Sequence, residues 1–155
     1  MELKDIIPPD RIFYIERSFK SKEELLSHLL EQLLKKDGLE AHKDQVLKVL
    51  LERESSMSTG IGQGIAIPHC STDFEKDLSA VLAVLKKPIE FQAVDEQPVQ
   101  IVILLVLPKD RFEKHIKTLA AIARQFNDSV FRKKVAGAAS VDEVQAAVAA
   151  ATASA

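Results

Sequence analysis

Apolar positions along the chain fall into two spacings, one suited to strands and one to helices. Ile12–Ile15 is a short continuous apolar run and predicts a strand. Leu25, Leu26, Leu29, Leu30, Leu33 and Leu34 then recur at helical spacing. Ser21 and Glu24 ahead of them have capping-box spacing, in which two side chains satisfy orphan amides reciprocally. Gly38 stands where that helix can end in the left-handed conformation. A second helix is expected from near Lys43 to Glu52, carrying Val46, Leu47, Leu50 and Leu51. Ser55–Gly64 has no helical period and reads as a loop, and Ile65–Ile67 reads as extended chain closed by Pro68. Ser79–Leu85 and Ile101–Leu107 predict buried strands. The second is uniformly apolar, as central strands are, and is bracketed by Pro98 and Pro108. Asp110 to Glu113 is another cap signal, after which Phe112, Ile116, Leu119, Ile122 and Phe126 form one helical stripe. Asp128 and Ser140–Glu143 open two more short helices, and Ala149–Ala155 is expected to fray. Strands alternating with helices predict an α/β (α+β) fold: a single domain with a mixed β-sheet flanked by helices.

Length and composition narrow the function classes. A chain of 155 residues can bury one core of respectable size. Apolar residues at 46% and charged residues at 28% exclude a disordered chain. The net charge is −2 with signs interspersed, and no basic stripe invites nucleic acid. The longest apolar run, Ile101–Leu107, is far shorter than the roughly 20 residues a bilayer requires. The first residues lack an apolar signal-peptide region. Cys70 is the only cysteine, so no internal disulfide forms. These features predict a cytoplasmic protein that does not insert in a membrane.

The chemistry concentrates in Ser58-Thr-Gly-Ile-Gly-Gln-Gly-Ile-Ala-Ile-Pro-His69. Gly60, Gly62 and Gly64 at alternate positions permit backbone conformations that other residues resist, and let amides approach an anion. Ser58 and Thr59 add hydroxyl donors. Imidazole accepts phosphoryl groups well, because one ring nitrogen is unprotonated near neutral pH. The spacing does not fit a Rossmann fingerprint, since the third glycine comes one position early and a proline follows. It does not fit a Walker A loop, which needs Gly-Lys-Ser/Thr. An irregular turn beside a solvated histidine remains open on spacing alone. So does a thiol role for Cys70, though neighbours on extended backbone point to opposite faces. No zinc-type ligand spacing occurs, so no metal is expected. His28 and His42 read as solvated.

The segment Thr59-Gly-Ile-Gly-Gln-Gly-Ile-Ala-Ile-Pro-His69 resembles the phosphorylation site of enzyme IIA of the bacterial phosphoenolpyruvate:sugar phosphotransferase system. The likeness is to the fructose/mannitol class, which includes a nitrogen-regulatory branch. It extends from about Leu3 to about Val148. Arg53-Glu54, Pro88-Ile-Glu-Phe91, Asp95, Pro98-Val99 and His115 in Glu-Lys-His-Ile-Lys-Thr-Leu-Ala all match that family. Cys70 stands where a small residue is usual, and Glu96 where glycine is usual.

The resemblance implies a set of roles. His69 would accept the phosphoryl group on Nε2. His115, early in its helix near the positive end of the dipole, would stabilise the phosphoryl oxygens or orient His69. Arg53 would contact phosphate or a partner's acidic group. Ser58, Thr59 and the amides of Gly60, Gly62 and Gly64 would bind the phosphoryl oxygens. Ile61, Ile65 and Ile67 are candidates for an apolar rim. The implied donor is phospho-HPr, or a nitrogen-branch relative of HPr. The implied acceptor is an enzyme IIB domain or, in a regulatory variant, a target protein whose binding depends on phosphorylation. Transfer between histidines needs no cofactor, because the donor is already activated.

Overall fold

The computed structural model describes residues 2–151. A mixed six-stranded sheet forms its centre, with helices on both faces. The strands are β1 (Ile12–Ile15), β2 (Gly60–Gly62), β3 (Ile65–Ala66), β4 (His69–Thr72), β5 (Ser79–Ile89) and β6 (Val99–Pro108). Their order is β1-β5-β6-β3-β2, with β4 also paired to β6. β5 and β6 are antiparallel and form the buried centre, and β1 lies parallel to β5. Both central strands run longer than the sequence pattern predicts. Pro88 sits at the exposed end of β5, inside the register break between Val84 and Ile89, where a missing amide costs no ladder bond.

β3 and β4 act as one broken strand. Ile65 and Ala66 pair with Ile101 and Val102, and His69 to Thr72 pair with Leu105 to Pro108. The register offset is the same on both sides of Ile67-Pro68. Pro68 does not end the extended chain, contrary to expectation. Its carbonyl still accepts from Leu105 N at 3.0 Å, so the chain re-enters the sheet.

The helices are α1 (Leu3–Ile6), α2 (Lys22–Asp37), α3 (Lys43–Ser56), α4 (Phe112–Asn127), α5 (Ser129–Ala136) and α6 (Val141–Ala150). The leucines of α2, with Val46 and Leu50 of α3, cover one sheet face formed by Ala66, Cys70, Val81, Ala83, Val102, Leu104 and Val106. The other face carries Ile65, Ile67, Leu82, Val84, Ile103 and Leu105. It is covered by Ile122 and Phe126 of α4, Phe131 and Val135 of α5, and Val144 and Val148 of α6.

The cap signals divide. Ser21, Asp128 and Ser140 each accept a backbone amide at their helix starts. The reciprocal half of the Ser21–Glu24 box is not made, because Glu24 turns out to Arg17. Asp110 caps nothing: it lies in a tight turn, Lys109–Arg111, and α4 begins without a side-chain cap. The expected loop Ser55–Gly64 is shorter than predicted, since α3 runs on to Ser56 and β2 begins at Gly60. The expected fray at Ala149 is overturned for Ala149 and Ala150, which complete α6. Residues 152–155 of that stretch lie outside the described residues. No helix among the described residues is long and apolar enough to cross a membrane.

Candidate functional site

β2 and β3 form a hairpin whose two-residue loop is Gln63-Gly64, since Gly62 pairs with Ile65. Gln63 (φ 59°) and Gly64 (φ 78°) are both left-handed, the twist that matches a right-twisted strand pair. Gly60 is required for a different reason. A Cβ there would lie 2.8 Å from Ala93 Cβ and 2.9 Å from its Cα.

The hairpin is fastened from two sides. From the 91–95 segment, Val94 N donates to Gly60 O at 3.1 Å, and Asp95 Oδ2 accepts from Gln63 N at 2.9 Å. That amide foremost, then the amide of Gln97, holds the Asp95 carboxyl below its usual range. Glu96, standing where glycine is usual, takes a left-handed φ of 61° in the same turn. From α3, the carboxylate of Glu54 is buried and accepts from Thr59 N at 2.9 Å and Thr59 Oγ1 at 2.6 Å. Lys22 Nζ of α2 completes this hold, 3.1 Å from Glu54 and 3.3 Å from Phe91 O.

Two of the residues expected to bind phosphate make internal hydrogen bonds here. Thr59 is buried and its hydroxyl proton goes to Glu54. Ser58 Oγ donates to Phe91 O at 2.8 Å and accepts from Gly60 N at 3.1 Å, so both groups are committed within the hairpin. Gly62 (φ 96°) and Gly64 serve the turn itself. Glu54 enters the sequence reading only as half of the Arg53-Glu54 match, with no role of its own. Its only signal was its place beside Arg53, at the end of a helix and before the glycines.

His69 opens β4 and is half-buried. Alternation along β3–β4 places it with Ile65 and Ile67 on the face covered by α4, while Cys70 turns into the opposite core. His69 Nδ1 lies 2.9 Å from Ile67 O. A carbonyl can only accept, so Nδ1 carries the proton, and in the neutral ring Nε2 keeps its lone pair. Burial, and then the charge of Glu75, pushes the Cys70 thiol up to about 12, which removes it as a nucleophile.

His115 occupies α4 on the same sheet face. It is 3% exposed and takes the inward position of the helix, aligned with Leu119, Ile122 and Phe126. Ile116, expected in that stripe, is instead 46% exposed. Burial lowers the His115 pKa, opposed by the Asp77 carboxylate 3.9 Å from Nε2. His69 and His115 thus share a face, with no hydrogen bond between them. Arg53 lies in the last turn of α3, the helix that packs on β4, and its Nη1 donates to Met57 O at 2.9 Å. Of the expected rim, Ile61 is exposed, while Ile65 and Ile67 are buried core. His42 stacks on Phe74 with centroids 3.8 Å apart, and His28 tilts against Phe19, so neither is simply solvated. Among the described residues no cluster of three His, Cys, Asp or Glu could hold a metal.

The arrangement is a half-buried imidazole with one nitrogen tied to backbone and the other available, beside a rigid glycine hairpin. The family model for the phosphoenolpyruvate-dependent sugar phosphotransferase system, EIIA 2, matches residues 5–151. A nitrogen regulatory protein of Bradyrhizobium diazoefficiens is 33% identical over 135 residues, covering 87% of this chain and 86% of its own. A fructose-specific EIIA component of the phosphotransferase system from Haloferax volcanii is 32% identical over 147 residues, covering 94% and 95%. Among solved structures, the nitrogen regulatory protein IIA-Ntr of Neisseria meningitidis superposes with a TM-score of 0.83 at 27% identity, covering 94% of this chain and 98% of that one.

Proposed function

The chain belongs to the EIIA 2 family of the phosphoenolpyruvate-dependent sugar phosphotransferase system, and from that premise we propose that it is a phosphocarrier whose acceptor atom is His69 Nε2. The observation that carries this reading is the bond from His69 Nδ1 to Ile67 O, which leaves Nε2 as the nucleophile. Phospho-HPr, or a nitrogen-branch relative, supplies the group. The Nε2 lone pair attacks phosphorus in line, the donor's P–N bond breaks, and its electron pair returns to the donor imidazole. The proton on Nδ1 stays with the Ile67 carbonyl throughout. In the second step an enzyme IIB takes the group and His69 recovers its lone pair.

The surroundings suit such a transfer. Leu105 pairs with His69 across the ladder and Ile67 precedes it in the core, while Ile61 on the hairpin is exposed apolar surface against which a docked partner would shed water. In this reading His115, on the same sheet face, stabilises the phosphoryl oxygens or orients His69. Ser58, Thr59 and the glycines act by keeping the hairpin rigid. Arg53, half-buried at the end of α3, carries a planar, permanent charge suited to a phosphoryl oxygen or to an incoming partner's acidic group.

Incubation of the protein with phosphoenolpyruvate, enzyme I and HPr, read by intact mass, tests the reading. The wild type gains one acid-labile phosphoryl group and His69→Ala gains none. No gain from HPr or from its nitrogen-branch relative overturns it.

A second reading is favoured by the match to IIA-Ntr. In it the same phosphorylation adds a charge of about −1.5 to −2 and selects a regulatory target, with no sugar moved. Adding purified fructose- or mannitol-type IIB to the phosphorylated protein separates the two. Rapid loss of the group to IIB supports transport, and its retention supports regulation.

A further inference from the structure

We propose that Asp77 is a positioning residue for His115, its carboxylate fixing the orientation and favouring the protonated form of that buried imidazole when a phosphoryl group sits on His69. The proposal rests on His69 being the phosphoacceptor and adds a residue that lies outside the glycine hairpin, in the turn between β4 and β5.

Three observations meet at this pair. His115 is 97% enclosed, being 3% exposed, and its Nε2 has no hydrogen-bond partner. An orphaned ring nitrogen in the core is costly unless something uses it. Asp77 Oδ1 lies 3.9 Å away, the one acidic oxygen within ion-pair distance of that nitrogen among the described residues. The same Oδ1 accepts from Leu78 N at 2.8 Å, which sets the carboxylate's direction from its own backbone. The Asp77 side chain is 75% exposed, whereas the His115 side chain is 4% exposed, so the pair spans the boundary between solvent and core.

The turn that carries Asp77 is tied down along its length. Asp73 pairs with Lys109 at 3.7 Å, Phe74 stacks on His42, and Leu78 packs against the core. A carboxylate on a tethered turn is a fixed charge. At 3.9 Å the pair is too long for a direct hydrogen bond and acts through charge or one bridging water.

The remaining charges do not replace Asp77. Lys114 and Arg111 press against His115 from its own helix and the turn before it, and both disfavour its protonation. Glu2, Asp5, Lys117 and Arg124 line, with His115 and Asp77, a cavity of about 600 Å³. Glu2 is already paired with Lys4, and Asp5 accepts from Glu2 N. The arriving phosphoryl group is anionic and calls for a protonated imidazole, which burial disfavours. Asp77 is the group that offsets that burial.

The experiment is a titration of histidine ring resonances in the full-length protein. It is run on wild type, Asp77→Asn, Asp77→Glu and Asp73→Asn, with single-turnover acceptance from phospho-HPr on the same samples. Asp77→Asn moves the His115 midpoint to lower pH and slows acceptance about threefold, the scale of one partly exposed charge pair. The loss is confined to the range in which wild-type His115 is protonated and the variant's is not, below the ordinary imidazole value because burial lowers both, and it vanishes at alkaline pH. Asp77→Glu restores most of the rate, and Asp73→Asn, which breaks only the Lys109 pair, changes neither readout. An unmoved His115 midpoint in Asp77→Asn, or a rate loss equal in Asp73→Asn, overturns the proposal. Phosphorylation of His69→Ala would instead overturn the reading beneath it, and the titration distinguishes the two failures because it needs no phosphoryl donor.

Discussion

At the scale of single residues, the site is held by a buried ion pair as much as by its histidines. Glu54 is 4% exposed and takes three bonds, two from Thr59 and one from Lys22. Lys22→Met would strand a carboxylate in the core beside Phe91. It should cost about 3–5 kcal/mol, read as a lower urea midpoint. The double variant Lys22→Met/Glu54→Gln should recover part of that loss, because no charge is then left unpaired. Sequence shows such a pair poorly: Lys22 and Glu54 are far apart in the chain and each resembles an ordinary surface charge. His69 was conspicuous because its motif is long. The atom that would accept the phosphoryl group was not, since the partner of Nδ1 is a carbonyl that every residue possesses. His115 shows the opposite limit. Counting apolar residues selects Ile116 for the inward stripe, yet 115, 119, 122 and 126 fit the helical period equally well. Only packing on the sheet decides that the imidazole turns in.

At the scale of elements, the hairpin β2–β3 is the working part, and the 91–95 segment is its buttress. Gly60→Ala must push the hairpin away from Ala93 backbone. It should cost about 1–3 kcal/mol, measurable by denaturant unfolding. It should also slow phosphoryl acceptance, since Thr59 O, next in the chain, accepts from Ile67 N at 3.0 Å just before the histidine. The helices were largely legible from period and caps. The strands at the edge were not. β3 and β4 are too short for alternation to register, and a proline between them reads as a terminator until its carbonyl is seen in the ladder. Asp110 misleads for a related reason. A cap signal specifies a preference, and here a tight turn takes its residues first.

At the scale of the molecule, two apolar layers sandwich the sheet, and a polar cluster fastens its rim. Arg11 Nη2 donates to Asp37 Oδ1 at 2.6 Å, and Ser79 Oγ donates to the other oxygen of Asp37. Glu75 faces the same carboxylate. Burial foremost, then hydrogen bonding and charge from Asp37, pushes Glu75 up from 4.5 to about 8. Burial alone would raise Asp37 too, but bonds from Glu75, Ser79 and Arg11 outweigh it and hold Asp37 below its ordinary value. The folded state therefore keeps a proton on Glu75 that the unfolded chain releases. Stability from this group is complete below about pH 4.5 and declines as pH rises towards about 8. Asp37 acts at the other end, where stability falls as pH drops below the carboxylate range. Urea midpoints at pH 5.5 and 8.5 should differ more in wild type than in Glu75→Gln, roughly tracking one carboxyl titration. Sheet order and this rim cluster were beyond the sequence, because both depend on which distant segments meet.

The break at Ile67-Pro68 has a consequence for heredity. Had the edge strand run unbroken, the Ile67 carbonyl would face the same demands as its neighbours in the ladder. The kink lets it take the imidazole proton instead. The choice of tautomer is thus encoded in main chain, and no side-chain truncation from Ile65 to Pro68 deletes the atom responsible. A codon-by-codon scan would pass over it, and only an edit of the peptide bond itself, such as an amide-to-ester or thioamide replacement, could address it. Drift in the surrounding residues can therefore proceed while the tautomer of His69 is kept, so long as the path of the chain is preserved.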